Sequence, residues 1–581
     1  MQSMNRRDFL KSASVTVAGL AMAAKPFPKA GPNAKKPNII VIMADDISAR
    51  EFPTYKIPNP TAGDAPCSTP VIEKMVKDGI QFQHSWATPL CHPTRGEIMT
   101  GRYACRTKWW SNRFGPYKDD KGAALYDYHL TLGQIAKQAG YAAQMVGKWQ
   151  LEGERSGYSF DEYVMTPAGK YAARAPKGTS HEGKPSYYWN PGYTLINHPS
   201  LSEGKSDESF RTTWKDYAAN IELKFIKDFM KRQHNTDTPF FVYWPAHMGH
   251  GNWDYENNRM GQPGVPPMDE KDYPGTEHIN AKAPDGTIVR KTKPGMNYHI
   301  QYIDYLLGEL IKQAEQLGIL ENTVIILTTD NGSGGYGKGP EGVIKETGAL
   351  VPLFIYGPGY VKPRGVVDEP ADLSDIAPTV AELMRLDCTA AAEKYGLKTN
   401  NSEYEFDGKS LLPYLAGKKN THRDWIYSYN AEYQMVRTKN VVRDGLGTYW
   451  DCRGTNDQEK YRCIKNPEKS DLIAEIELID KVIDKHPIPD LDSELYYRYI
   501  EYKGGGLARF YRGHIEDSDV PPIGRALLTL NRAKIAQLKK DQKLAEKLYH
   551  QVLQVKPEQT RNKKLLKKLR SSAEMNLKKL K

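Results

Sequence analysis

Helix-like and strand-like stretches alternate from about Asn38 to Gly359, and several of the strand-like ones end in side chains that carry chemistry. Ile39–Met43 is an unbroken, branched apolar run of strand length, the pattern of a strand covered on both faces, and it ends at Asp45-Asp46. Thr69–Gly79 has helical spacing with a glycine stop and leads into the strand-like IQFQHSW. LTLGQIAKQAG leads into YAAQMVGKW, YAANIELKFIKDFMKRQ into PFFVYW, and YIDYLLGELIKQAEQLG into NTVIILTTDNG, with VPLFIYGPG next. This order predicts an α/β fold with a large mixed, mostly parallel sheet sandwiched by helices. Open sheets of this kind place ligands beyond the carboxyl ends of their strands.

From about Arg423 the alternation gives way to short segments such as WIYSY and QMVRTKN, and from Ile523 helical periodicity dominates. The chain therefore divides into a large α/β domain over 37–422 and a smaller C-terminal α+β subdomain over 423–581 with a basic terminal helix. A length of 581 residues suits such a division, and 39% hydrophobic with 26% charged residues is a globular composition. The net charge of +11 is concentrated: Lys556–Lys581 holds ten Lys/Arg against Glu558 and Glu574, a net of +8. A basic amphipathic end reads as a solvated helix face, so the charge does not imply a nucleic-acid partner.

NRRDFLK, Asn5–Lys11, sets twin arginines before a short apolar run, Val15–Ala24, with Ala21-Met22-Ala23 as a small-x-small cleavage site. The run is too short to span a bilayer, and no later apolar segment reaches transmembrane length. Residues 1–24 resemble a twin-arginine export signal, with a Pro/Lys/Ala linker over 25–36; this implies a periplasmic or secreted protein with no stable membrane insertion. Cys67, Cys91, Cys105, Cys388, Cys452 and Cys463 are few for a disulfide scaffold of this size. Cys452 and Cys463 are spaced for a local bridge, whereas Cys91 has no obvious partner.

Five clusters stand at expected strand ends: Asp45-Asp46; Cys91 with Arg95; Lys148 in GKWQL; His247 and His250 in PAHMGHG; Asp330-Asn331 in TTDNG. Singly, paired aspartates cap helices and DNG makes a turn. Together they offer hard oxygen ligands, a thiol, cations and imidazoles, the makings of a metal site with a nucleophile.

Cys91-His92-Pro93-Thr94-Arg95-Gly96, followed by Thr100-Gly101-Arg102, is similar to the signature in which a cysteine is oxidised to formylglycine. With the clusters above in family order, the chain resembles the formylglycine-dependent sulfatases of the alkaline-phosphatase superfamily from about Asn38 to Tyr429. The resemblance implies that a formylglycine-generating maturation enzyme converts Cys91 to 3-oxoalanine. Asp45, Asp46, Asp330 and Asn331 would bind Ca2+, and Arg95, Lys148 and a lysine after the DNG turn would contact the sulfate or the formylglycine. One hydroxyl of the aldehyde hydrate would attack sulfur and expel the alcohol, and the second would collapse to the aldehyde and release sulfate. His250 fits the histidine that protonates the departing oxygen, with His247 as its competitor and a candidate substrate contact.

The chain departs from the family pattern twice. Gln150 stands where GKWHLG has histidine, which makes it a substrate-contact candidate and leaves His92 or His181 to relay a proton. KGPEGVIKETGALVP carries both Lys338 and Lys345 as candidate sulfate ligands, with Leu350 where arginine is usual. Trp109-Trp110 near Arg113 and Phe114, and Tyr187–Tyr193, offer aromatic faces for sugar rings. The implied substrate is a sulfated carbohydrate or another sulfate ester. The competing readings are a phosphonate or phosphate ester hydrolase of the same superfamily, and a weakly catalytic glycan-binding homologue suggested by Gln150 and Leu350.

Overall fold

A computed structural model describes residues 35–58, 67–112, 114–115, 124–166, 192–210, 212, 216–250, 264–273, 278–282, 288–292, 295–333, 346–400, 403–501 and 520–580. The strands up to residue 372 are, in chain order, β1 Asn38–Ala44, β2 Ile80–Trp86, β3 Ala142–Gly147, β4 Glu162–Met165, β5 Tyr193–Ile196, β6 Asp207–Phe210, β7 Phe240–Pro245, β8 His278–Lys282, β9 Ile288–Thr292, β10 Thr323–Thr329, β11 Leu353–Tyr356 and β12 Gly365–Asp372. β8 and β9 pair as a hairpin, and the others form one ten-stranded sheet in the order β12-β2-β11-β10-β1-β7-β3-β4-β5-β6. β5 and β11 run against the other eight strands, so the sheet is mixed and mostly parallel, as the alternation predicts.

β1 shows why the sheet must be covered on both faces. Successive side chains of a strand point to opposite faces. Ile39, Val41 and Met43 enter one apolar core and Ile40, Ile42 and Ala44 the other. Each fully buried branched side chain contributes roughly 1.5–3 kcal/mol. The helix Met296–Gln316 brings Ile300, Ile303, Leu307, Leu310 and Ala314, a stripe at helical spacing, to the core that holds Ile40. The helix Leu132–Gln138, capped by Thr131 and Gln134 in a reciprocal box, covers the opposite face through Leu132, Ile135 and Ala136.

The C-terminal part holds an antiparallel meander, β13 Ile426–Asn430, β14 Tyr433–Arg437, β15 Val441–Arg443, β16 Tyr449–Asp451 and β17 Arg462–Cys463, followed by the helix Ile473–Lys485. Its apolar residues join the core that contains Ile40, and Lys35–Lys581 form one compact unit. The helical periodicity from Ile523 resolves into several helices, the last of them the basic terminal helix expected. Pro522–Leu538, Gln542–Gln554 and Lys563–Leu580 are separate helices. The first break holds Lys540 at φ 61, with Asp541 capping the next helix through Leu544 N–H; the second contains Pro557. Lys564, Lys567 and Lys578 of the last helix are exposed, as a solvated basic face requires. No disulfide joins Cys452 to Cys463 or engages Cys91.

Candidate active site

Because β1, β2, β3, β7 and β10 share a direction, the chain leaves all of them at one edge of the sheet. That edge receives Asp45-Asp46 after β1, Cys91 after β2, Lys148 after β3, His247 and His250 after β7, and Asp330-Asn331 after β10. Local backbone demands fit the residues present. Asp46 sits at φ 58, a left-handed conformation that aspartate tolerates better than most side chains. Gly147 sits at φ 116, and a Cβ there would lie 2.3 Å from the Pro245 carbonyl oxygen. The missing side chain lets β3 end hard against β7, where Lys148 N–H donates to that carbonyl at 2.7 Å.

Cys91 opens the helix Cys91–Thr100, so its thiol lies at the end where unpaired N–H groups favour negative charge. Its Sγ is 3.9 Å from Asp45 Oδ1 and 3.7 Å from Asp46 Oδ1. One turn on, the fully buried Arg95 donates to the Lys148 carbonyl at 2.8 Å and to Asp330 Oδ2 at 2.7 Å, with Asp45 Oδ2 at 3.4 Å. Lys148 Nζ also donates to Asp45 Oδ2. Asp330 Oδ1 accepts from Asp46 N–H at 3.0 Å, and Asp46 Oδ1 accepts from Asn331 Nδ2 at 2.7 Å. His250 Nε2 lies 3.3 Å from Asp46 Oδ2. Asp45, Asp46, Cys91 and His250 each present a ligand atom within 4.8 Å of the others.

The cluster is short of positive charge. Burial and the neighbouring Asp330 push the Asp45 carboxyl up to about 7, although Lys148 and Arg95 pull it down. Asn331 Oδ1 is buried with no hydrogen-bond partner among the described residues. Such an acceptor costs roughly 1–3 kcal/mol unless something else satisfies it. Three carboxylates and an amide oxygen are the donors that a hard divalent cation takes. The residues therefore fit an oxygen-preferring divalent ion held by Asp45, Asp46, Asp330 and Asn331.

These are the side chains expected from the sequence, brought to one point, and the profile of the Sulfatase family matches residues 37–386, which contain all of them. This chain belongs to the sulfatase family. It is therefore a sulfuric ester hydrolase. It is 25% identical over 477 residues to the N-acetylgalactosamine-6-sulfatase of Canis lupus familiaris, covering 77% of this chain and 76% of that one. It is 24% identical over 420 residues to the ulvan-active sulfatase of Formosa agariphila, covering 70% and 72%. The solved structure of Ps i-CgsB shares the fold, with a TM-score of 0.54 at 19% identity over 82% of this chain and 99% of that one.

The remaining residues expected at the sulfatase site differ in what can be described. Lys338, Lys345, His181, Arg113 and residues 187–191 lie outside the described residues. His247 is 1% exposed, with Nδ1 at 2.8 Å from Glu222 Oε1 and Nε2 at 3.2 Å from Thr166 Oγ1. Both ring nitrogens face protein, so the expected substrate contact through His247 is replaced by a place inside the wall, three residues from His250. Gln150 is half-buried at φ 52, and its Oε1 has no hydrogen-bond partner among the described residues. His92 packs on Trp109, and burial together with Lys148 and Arg95 lowers it to about 4, which keeps it neutral near pH 7. Trp109 and Trp110 are 0% and 6% exposed, and the Tyr193 hydroxyl donates to Glu222; all three are wall residues rather than sugar platforms.

Sequence reasoning missed Glu222, which accepts from Trp244 Nε1 at 2.7 Å as well as pairing with His247. A signal existed: Glu222 occupies the inward face of the helix Ala218–Asn235 among Ala219, Ile226 and Phe229. A carboxylate on an apolar stripe needs buried partners. The 1090 Å³ cleft in the C-terminal part shares no residue with the site, and its Arg561 is already paired with Asp480 and Glu468.

Proposed function

We propose that this sulfatase hydrolyses sulfate esters on a carbohydrate, through a formylglycine hydrate made from Cys91 by a formylglycine-generating enzyme and with Ca2+ held by Asp45, Asp46, Asp330 and Asn331. The observation that carries this reading is the position of Cys91 Sγ, 3.7 Å from Asp46 and 3.9 Å from Asp45, at a helix start beside Arg95 and Lys148. A thiol destined for a disulfide has no use for such surroundings; a group that must be ionised and must meet an anion does. The sugar substrate is supported by the names of the relatives, one acting on an N-acetylgalactosamine 6-sulfate and one on ulvan.

The ion, when bound, lowers the nucleophile's pKa and neutralises sulfate oxygens. Once made from Cys91, the hydrate would supply one hydroxyl as nucleophile towards sulfur, with the alcohol leaving, and a second whose loss of a proton would regenerate the aldehyde and free sulfate. Arg95 holds Asp45 and Asp330 in register and presents its guanidinium from the next turn of the same helix. Lys148 places a further cation where charge moves towards the leaving oxygen. His250, partly open at 13% side-chain exposure, is placed to protonate that oxygen, while the enclosed His247 is not. Gln150, whose buried amide oxygen has no hydrogen-bond partner among the described residues, is the proposed contact for a substrate hydroxyl. Export by the twin-arginine route rests on Asn5–Lys11 of the sequence. Among the described residues no helix is long and apolar enough to cross a membrane.

A mass spectrum of the peptide spanning Cys91, taken alongside sulfate release from a panel of sulfated glycans and matched phosphate esters, tests the proposal. An aldehyde at Cys91 together with sulfate release from glycans is expected. An unmodified thiol in fully active protein, or turnover confined to phosphate esters, overturns it.

A further inference from the structure

Glu346–Val351 is a short stretch of chain between β10 and β11, and its backbone reaches each of the three segments that carry the acidic and thiol groups. The Gly348 carbonyl accepts from Gly332 N–H at 3.0 Å, next to Asn331. The Ala349 carbonyl accepts from Ala87 N–H at 2.9 Å, and Val351 N–H donates to the Ser85 carbonyl at 2.9 Å, on the approach to Cys91. The Leu350 carbonyl accepts from Ala49 N–H at 3.2 Å, just past Asp46. Moving this stretch would move Asn331, Cys91 and Asp46 relative to one another.

Glu346 is 4% exposed at the start of that stretch, and the cation that answers it comes from the C-terminal sheet. Arg437 Nη1, at the end of β14, donates to Glu346 Oε1 at 2.9 Å and Oε2 at 3.0 Å. The Tyr461 hydroxyl donates to Oε2 at 2.7 Å, and Trp86 Nε1 of β2 donates to Oε1 at 2.9 Å. A buried ion pair is a poor source of net stability, because desolvation consumes most of the attraction. What it supplies is position: one guanidinium nitrogen sits between both oxygens of a carboxylate that Tyr461 and Trp86 hold from the other sides, which fixes where that carboxylate lies.

We infer that Arg437 is a positioning residue for the sulfate-ester reaction, acting from the C-terminal sheet through Glu346 to hold the ends of β1, β2 and β10 in register. The C-terminal part thereby belongs to the catalytic apparatus without touching substrate. The inference rests on those strand ends being the reaction centre. If the wild-type protein releases no sulfate and binds no divalent cation, that reading fails first, and the variants below are not the cause.

The test separates holding from folding. Replacing the pair by apolar side chains, Glu346→Leu with Arg437→Met, removes the positioning contact while sparing either charge an unpaired burial. This double variant leaves the Trp86 and Tyr461 donors without their acceptor, so it is expected to melt below wild type yet stay folded at the assay temperature. Its kcat on an aryl sulfate should nevertheless fall about tenfold or more, with a similar loss of Ca2+ affinity by calorimetry, the scale seen when outer support of a metal site is removed. Tyr461→Phe deletes a single hydrogen bond and serves if the double variant does not fold. It should lower kcat about threefold with KM little changed, the size of one modest hydrogen bond, and Arg437→Lys should not restore the wild-type value. Wild-type kcat and Ca2+ affinity in the folded double variant, or in Tyr461→Phe if that is the one that folds, would overturn the inference.

Discussion

Two buried clusters of carboxylates lie beyond strand ends in this protein, and they settle their charge in opposite ways. Around Asp372, the last residue of β12, and Asp375 just beyond it, the aspartate oxygens are answered from within. Asp372 accepts from Ser374 N–H, Tyr427 N–H and the Tyr103 hydroxyl; Asp375 accepts from Lys409 N–H and Asp372 N–H, with His422 and Arg423 alongside. Burial works to raise Asp375, but Arg423 and His422 overcome it and hold the carboxyl below its ordinary value. The third acid there, Glu97, is pushed far up by burial and by Asp372, which disfavours a further negative charge. Around Asp45, Arg95 and Lys148 do not suffice, the carboxyl rises to about 7, and the Asn331 amide oxygen is left over. The first cluster leaves the Glu97 oxygens and Arg423 Nε without hydrogen-bond partners among the described residues, so what it completes is its aspartate charge, and charge balanced from within marks scaffold. A cluster left short is a place for a ligand.

The largest effect that would sharpen this contrast is expected at Cys91. Cys91→Ser should lower turnover by about a thousandfold or more, as loss of a nucleophile does, with the melting temperature almost unmoved; a variant that keeps turning over breaks the assignment. In the self-completed cluster the reverse should hold. Arg423→Met leaves two buried carboxylates without their guanidinium and should cost about 3–5 kcal/mol of stability, read by denaturant unfolding, while the protein that remains folded keeps its KM. Removal of divalent ions by a chelator should lower activity about a hundredfold and return it on adding Ca2+, with no such reversal from changes at Asp375.

Acid should distinguish the clusters as well. Asp375 has a folded pKa below its unfolded value, so its contribution is complete above the ordinary carboxylate pKa and is lost as pH falls through the folded value. Asp375→Asn should therefore be less stable than wild type at pH 7, by about 1–3 kcal/mol for a charged hydrogen bond, and the gap should narrow as pH drops below the ordinary carboxylate value. A gap that stays constant would mean the charge is not what counts. The smallest change is expected at Gln150, where Gln150→His should raise KM for a glycan about fivefold through loss of one hydrogen bond. Faster turnover instead would show that this position lacked a base.

Much of this was legible because it is local. β1 announces itself as an apolar run ending in Asp45-Asp46, β10 as one ending in Asp330-Asn331, and Cys91 stands in a contiguous signature. The helix over Pro70–Asp78 and the strand Ile80–Trp86 fall where spacing puts them. What could not be read depends on partners distant in sequence. GVVDEPAD does not look like a strand because Pro370 cannot donate to a ladder; β12 tolerates it at the sheet edge, where the register shifts between Val367 and Pro370. The burial of Trp110 is set by chain that packs over it from the C-terminal sheet, such as Tyr429 at 6.3 Å, whereas Trp109 turns into the opposite core beside His92. Glu346 and Arg437 are 91 residues apart, and nothing near either one names the other.

β11 is inserted against the grain between β2 and β10. A parallel strand in that place would need a crossover to carry the chain back to the far edge, whereas an antiparallel one starts beside the point where its neighbour stops. The polypeptide from Gly332 to Pro352 therefore departs from and returns to the same rim, the rim that holds Asp330 and Cys91. Its length is free of any duty to span the sheet. Apart from Glu346–Val351, whose backbone ties the strand ends together, insertions or deletions in this connection need disturb no strand pairing, so the fold leaves chain that starts and ends beside the reaction centre free to change between relatives.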